Sequence, residues 1–165
     1  MPTIAVYPGT FDPLTNGHVG IVKRGLKVFD KVIIVIMNNK SKTPLFTVEE
    51  RIDILKESLK DLGNVEVAAY DGMVVNYAVQ RGANAILRGM RAVSDFEAEF
   101  QLAMYNRRLN REIETVFFMT GLRWLFISSS GIKELASFGG KITGMVPEVV
   151  ERRMKEKFPI LCEGN

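Results

Sequence analysis

Short runs of β-branched and aliphatic residues recur along the chain at positions 3–7, 31–37, 64–69, 83–87 and 115–119. They are continuous rather than alternating, which predicts strands buried on both faces, as in a parallel sheet. Between them the apolar positions switch to helical spacing. Ile21, Val22, Leu26 and Phe29 form one stripe, and Ile52, Leu55, Leu59 and Leu62 form another. Two helix starts carry the pattern of a capping box, Thr47 with Glu50 and Ser94 with Glu97, each a hydroxyl followed three residues on by a carboxylate. A last helix is expected over 147–158, entered through Pro147, a residue suited to a first helical turn. Strands alternating with helices in this way predict an α/β fold, doubly wound about a five-stranded parallel sheet.

Composition narrows this picture. At 165 residues, 47% of them apolar, the chain suits one compact domain over 1–165, which buries roughly 70% of its unfolded surface and needs no disulfide or metal to fold. No repeat, low-complexity segment or Pro/Gly-rich linker marks a boundary within it. Cys162 is the single cysteine, so no internal disulfide forms and a reducing, cytoplasmic setting is expected. Neither a basic leader nor an apolar run near the ~18 residues of a membrane span is present. A net charge of +3, from 22 basic and 19 acidic side chains, is too mild for nucleic acid or an anionic membrane, but it suits a small anionic substrate. The densest basic cluster, Arg107, Arg108 and Arg111 beside Glu112 and Glu114, reads as a solvated helix end.

In an open α/β sheet, ligands bind where the strands end and the helices begin, because free backbone N–H groups gather there. After the first strand, a loop with two glycines and two prolines carries Thr10 and ends at His18, the only histidine. In a first helical turn the helix dipole disfavours the imidazolium and leaves a neutral ring whose N–H can reach a phosphate oxygen. The second junction holds Lys40 and Lys42, with Lys42 the better phosphate ligand. The third, around Val74, is apolar enough to line a non-ionic part of a substrate. The fourth places Arg88 and Arg91 around Gly89, either as a phosphate clamp or as partners of Asp95 or Glu99. After the fifth strand, Ser128, Ser129 and Ser130 open a helix as natural caps and as hydroxyl donors for a polyphosphate. Four of the five junctions therefore carry phosphate-suited donors. There is no Gly-Lys-Ser/Thr phosphate loop, no Gly-x-Gly-x-x-Gly fingerprint and no Cys/His cluster.

The segment Tyr7-Pro-Gly-Thr-Phe-Asp-Pro-Leu-Thr-Asn-Gly-His18 resembles the first signature of the HxGH nucleotidyltransferases, in the Thr-x-Gly-His form of the phosphopantetheine adenylyltransferases. Residues 127–130 resemble the second signature. The likeness extends through 44–51, 87–97 and Asn106-Arg107, and covers roughly residues 3–158. It implies a Rossmann-like nucleotidyltransferase fold and adenylyl transfer from ATP, with Mg²⁺, to 4′-phosphopantetheine. By position it implies catalytic roles for His18, Thr10, Lys42 and Arg91. Thr10, Lys42, Val74 and Arg88 would hold the acceptor. Thr10, Phe11, His18, Gly89, Met90, Arg91, Glu99 and the stretch Trp124, Leu125, Phe126, Ile127, Ser128, Ser129, Ser130 would hold ATP. No protein metal ligand is implied; a hexamer and feedback inhibition by coenzyme A are.

Rival readings are other members of the superfamily, acting on nicotinamide mononucleotide or glycerol 3-phosphate, and a silent nucleotide sensor or nucleic-acid binder. The block 87–97 and the Thr-x-Gly-His form argue against the first pair. The retention of both signatures argues against a sensor, and the mild charge against a nucleic-acid binder.

Overall fold

A computed structural model describes residues 1–38, 41 and 43–162. Among them the chain forms five strands, β1 (Ile4–Gly9), β2 (Lys31–Met37), β3 (Val65–Tyr70), β4 (Ala85–Met90) and β5 (Glu114–Met119), in one sheet of order β3-β2-β1-β4-β5. All pairings are parallel. Six α-helices are interleaved: α1 (Asn16–Gly25), α2 (Val48–Leu59), α3 (Val74–Gln80), α4 (Val93–Leu109), α5 (Ser129–Ser137) and α6 (Glu148–Lys157). Short 3₁₀ turns occupy Leu122–Trp124 and Pro159–Cys162. The result is a Rossmann-like α/β fold.

The continuous apolar runs become strands because both faces of the sheet are covered. Ala5, Tyr7, Ile34, Ile36 and Leu87 face one core, closed by Ile21 and Val22 of α1, Leu55 and Leu59 of α2, Ile132 of α5 and Met154 of α6. Val6, Ile33, Val35 and Ile86 face the other, closed by Val75, Tyr77 and Ala78 of α3. Both β1 and β4 run further than the apolar pattern indicates, because their ladders continue through less apolar residues. Gly9 lies opposite Ile36 and Met90 opposite Met119.

The capping box at Thr47 and Glu50 is present: Thr47 Oγ1 accepts from Glu50 N at 3.2 Å, and Glu50 Oε2 accepts from Thr47 N at 2.8 Å. The one expected at Ser94 and Glu97 is not. Helix α4 starts two residues earlier, with Ala92 at its cap, and the Asp95 carboxylate receives the N–H groups of Arg91 and Ala92 at 3.1 and 3.3 Å. Pro147 stands just outside α6, at its cap. Arg107 pairs with Glu114 at 2.9 Å, on the exposed surface as expected.

Candidate active site

Strand β1 is laddered to β2 along its whole length, from Ile4 to Gly9, but to β4 only where Ala5 faces Ala85 and Val6 faces Ile86. Beyond Val6 the two strands part. Here the strand order reverses, the position at which open α/β sheets bind ligands. The opening is a cleft of about 370 Å³. Its walls come from the end of β1 (Tyr7, Gly9, Thr10, Phe11), the start of α1 (Gly17, His18, Ile21), the end of β4 (Arg88, Gly89, Arg91), α4 (Asp95, Glu99), Thr120 and residues 127–130.

His18 sits three residues into α1 and faces this cleft. Thr15 caps the helix, and its backbone N–H donates to His18 Nδ1 at 3.0 Å. A backbone N–H can only donate, so Nδ1 carries the lone pair and the ring proton resides on Nε2. Thr15 Oγ1 lies 3.1 Å from the same nitrogen. Burial, followed by the positive charges of Arg91 and Arg88, pushes the imidazole pKa down from 6.5 to about 4. The ring is therefore neutral at pH 7 and is a hydrogen-bond donor through one defined nitrogen.

Phe11 holds the ring from the side. The two ring centroids are 5.1 Å apart with planes at 73°, and Tyr7 meets Phe11 edge-on at 5.3 Å. Phe11 adopts φ = 49°, a left-handed conformation that a bulky residue keeps only when its surroundings enforce it. Gly9 makes room for it. A Cβ there would stand 2.9 Å from Cε2 and Cζ of the Phe11 ring.

Arg88 reaches across the opening between the strands. Its Nε and Nη2 donate to Glu99 at 2.7 and 2.5 Å, and its Nη1 donates to the Pro8 carbonyl at 3.2 Å. The guanidinium has five N–H groups, so two still point elsewhere. Arg91 is held more loosely, with Nη1 3.4 Å from the Ile127 carbonyl and Nε 3.6 Å from Asp95. On the opposite lip, Ser128 caps α5 by accepting from Gly131 N at 3.0 Å, and Ser129 donates to the Pro13 carbonyl at 2.7 Å. Both loops are thereby tied together while the α5 N-terminus stays aimed at the cleft, an arrangement suited to a phosphate chain.

The structure thus gathers Thr10, Phe11, His18, Arg88, Gly89, Arg91, Glu99 and residues 127–130 around one opening. Met90, Trp124, Leu125 and Phe126 do not line it; Phe126 is 99% exposed. Val74 begins α3 and packs against the opposite core. Lys42, with its neighbour Lys40, lies outside the described residues. Asp95 stands beside Arg91, as one of the two partners the sequence offers for the arginines; sequence reasoning missed Tyr7, Ile21 and Thr120 in the walls and, behind them, Asp12, Arg51 and Lys133. For Arg51 a signal existed: it falls on the same face of α2 as Leu55 and Leu59, a charge within an apolar stripe.

The sheet order, the crevice at its reversal point and the neutral histidine at a helix start are the marks of a nucleotidyltransferase, and the cytidylyltransferase-like family matches residues 6–135. The chain is 62% identical over 158 residues to the phosphopantetheine adenylyltransferase of Desulfatibacillum aliphaticivorans, an alignment covering 96% of this chain and 90% of that one. It is 56% identical over 165 residues to the phosphopantetheine adenylyltransferase of Syntrophus aciditrophicus (strain SB), with both chains fully covered. The phosphopantetheine adenylyltransferase of Desulfosudis oleivorans is 59% identical over 155 residues. The chain belongs to the phosphopantetheine adenylyltransferase family.

Proposed function

We propose that this protein transfers the adenylyl group of ATP to 4′-phosphopantetheine, giving dephospho-coenzyme A and pyrophosphate, with the whole chain 1–165 acting as one nucleotidyltransferase domain. An oxygen of the acceptor phosphate forms a bond to the α-phosphorus while the α–β bridging bond breaks, and its electron pair leaves with pyrophosphate. The attacking group is already an anion, so no general base and no covalent intermediate is needed. Positioning and charge stabilisation carry the catalysis.

The observation that carries this reading is His18. Its neutral ring donates from Nε2, because Nδ1 is occupied by Thr15 N–H. A neutral imidazole donor can stabilise charge developing on an α-phosphoryl oxygen without itself losing a proton. Thr10 and Arg91 flank it, and Arg88 keeps two N–H groups for the acceptor phosphate. Lys42, Val74 and residues 124–126 are assigned to the substrates by the family likeness alone.

Mg²⁺ fits as a companion of ATP. The oxygen donors of the cleft are hydroxyls and two carboxylates beside arginines, Asp95 with Arg91 and Glu99 with Arg88, a set suited to an ion carried by the substrate's own phosphates. When bound, the ion offsets negative charge on the triphosphate. Association of copies is supported by α4, where Phe96 and Phe100 stack at 5.6 Å while half exposed, beside exposed Met104 and Tyr105; the number six, a hexamer, rests on the family likeness alone. Coenzyme A, sharing the acceptor's pantetheine arm, would inhibit by occupying the same cleft. Among the described residues no helix is long and apolar enough to cross a membrane; a cytoplasmic location is part of the same reading, in keeping with the single, unbridged Cys162.

The test is pyrophosphate release from ATP and Mg²⁺ with 4′-phosphopantetheine, beside nicotinamide mononucleotide, and beside glycerol 3-phosphate with CTP. Release with 4′-phosphopantetheine alone is expected. His18→Ala should lower turnover about 10²-fold or more with ATP affinity little changed; a loss under about threefold would refute the role given to His18.

A further inference from the structure

A buried charge that the reaction scheme leaves unused lies behind the cleft. Arg51 of α2 is 2% exposed. Its Nε donates to the Thr47 carbonyl at 3.3 Å and its Nη1 to the Thr10 carbonyl at 2.9 Å. Burial lowers its pKa, and the nearby charge of Asp12 opposes that shift. Asp12, itself 2% exposed, accepts from the backbone N–H groups of Leu45 and Phe46 at 2.8 and 2.9 Å and from Lys133 Nζ at 3.0 Å. The two charges thus grip each other's backbone. Arg51 reaches from α2 to the Thr10 loop, and Asp12 reaches from that loop to the residues entering α2. Phe11 stands between the two anchored positions, in its left-handed conformation and against His18.

We propose that Arg51 and Asp12 are positioning residues for adenylyl transfer: by fixing the backbone on both sides of Phe11, they keep Thr10 in the cleft and the Phe11 ring against the His18 imidazole. This rests on the reading of the cleft given above. Burying a guanidinium among carbonyls is expensive unless its hydrogen bonds are met. Lysine could not replace it, because a single ammonium cannot serve two carbonyls along the directions used by Nε and Nη1.

Arg51→Lys is the test, made in the wild type and in Thr10→Ala. In the wild-type background kcat is expected to fall about tenfold, because small misplacements of a reacting group carry large rate penalties, with the KM for ATP within about twofold. In Thr10→Ala the same substitution should lower kcat by less than it does in the wild type, since the part that acts through the Thr10 side chain is already lost while the part that acts through Phe11 and His18 remains. His18 is the only histidine, so its imidazole NMR signals are unambiguous, and they should be displaced in ligand-free Arg51→Lys. Equal losses in both backgrounds, an unchanged kcat, or unmoved His18 signals would overturn the proposal. If Arg51→Lys does not fold, Asp12→Asn carries the same expectations; it keeps the side chain's size but turns an amide nitrogen toward a donor. Failure of the wild type to release pyrophosphate would sink the functional reading instead, and the His18 signals would then decide the positioning role alone.

Discussion

Arg88 and Glu99 lie fork to fork, Nε on Oε2 at 2.7 Å and Nη2 on Oε1 at 2.5 Å. The arginine that the sequence offers either as a phosphate clamp or as a structural partner is first of all partnered. Glu99 fixes the plane of the guanidinium, and the Pro8 carbonyl fixes its reach across the parted strands. Both side chains are largely shielded, at 24% and 18% exposure, so the pair is worth more than a surface bridge but less than a fully buried one. Glu99→Gln is expected to lower the unfolding free energy by roughly 1–3 kcal/mol. Urea denaturation would measure it, and an unshifted midpoint would show that water replaces the carboxylate without loss.

His18 gives the protein a specific acid sensitivity. Its folded pKa of about 4 lies below the ordinary 6.5. Between those values the unfolded chain binds a proton that the folded one refuses. Stability contributed by the neutral ring is therefore full above pH 6.5 and declines as pH falls toward 4, by up to about 3 kcal/mol. His18→Gln cannot take up the proton, so its stability should fall less steeply across this window. Parallel curves for the two proteins would contradict the assignment.

Gly9→Ala tests the packing beside His18. The new methyl would stand 2.9 Å from two atoms of the Phe11 ring, and that ring is 3% exposed with Tyr7 against it. Overpacking of this kind costs about 1–3 kcal/mol. A fall in thermal midpoint together with reduced turnover is expected, because the displaced ring is the one that braces His18. Unchanged values for both would mean that the ring has space to retreat.

The start of α4 separates two neighbouring acids and hydroxyls. Asp95→Ala should destabilise by about 1 kcal/mol, since its carboxylate satisfies two backbone N–H groups. Ser94→Ala should stay within about 0.5 kcal/mol. Chemical denaturation of both variants would check this, and the reverse order would restore the box at Ser94 and Glu97.

The strands were legible because a sheet covered on both faces leaves continuous apolar runs, as in β2. The cap at Thr47 was legible because the hydroxyl and Glu50 are the nearest pair to the helix stripe. At α4, several residues offer equivalent side chains within one turn, and the direction in which the chain leaves Arg91 decides among them. Thr10, His18 and the serines could be placed because each strand end has a defined edge of the sheet. Arg51 shows in the sequence only as a charge on the apolar face of α2; what it holds does not, since its partners are carbonyls, and carbonyls leave no mark in a sequence. The family likeness implies a nucleotide contact for Phe11, but its left-handed backbone and its place against His18 emerge only from packing.

The short ladder between β1 and β4 has a mechanical meaning as well. On one side of it β1, β2 and β3 form a continuous plate, and on the other β4 and β5 form a second. The plates are stitched directly at one end, from the Asn84 N–H on the Ile4 carbonyl to Val6 beside Ile86, and beyond that by side chains such as Arg88 against Pro8. The sheet is thus least reinforced along the line where it opens, and a molecule seated there touches both plates at once. Occupancy of the cleft would act as a rivet across the seam.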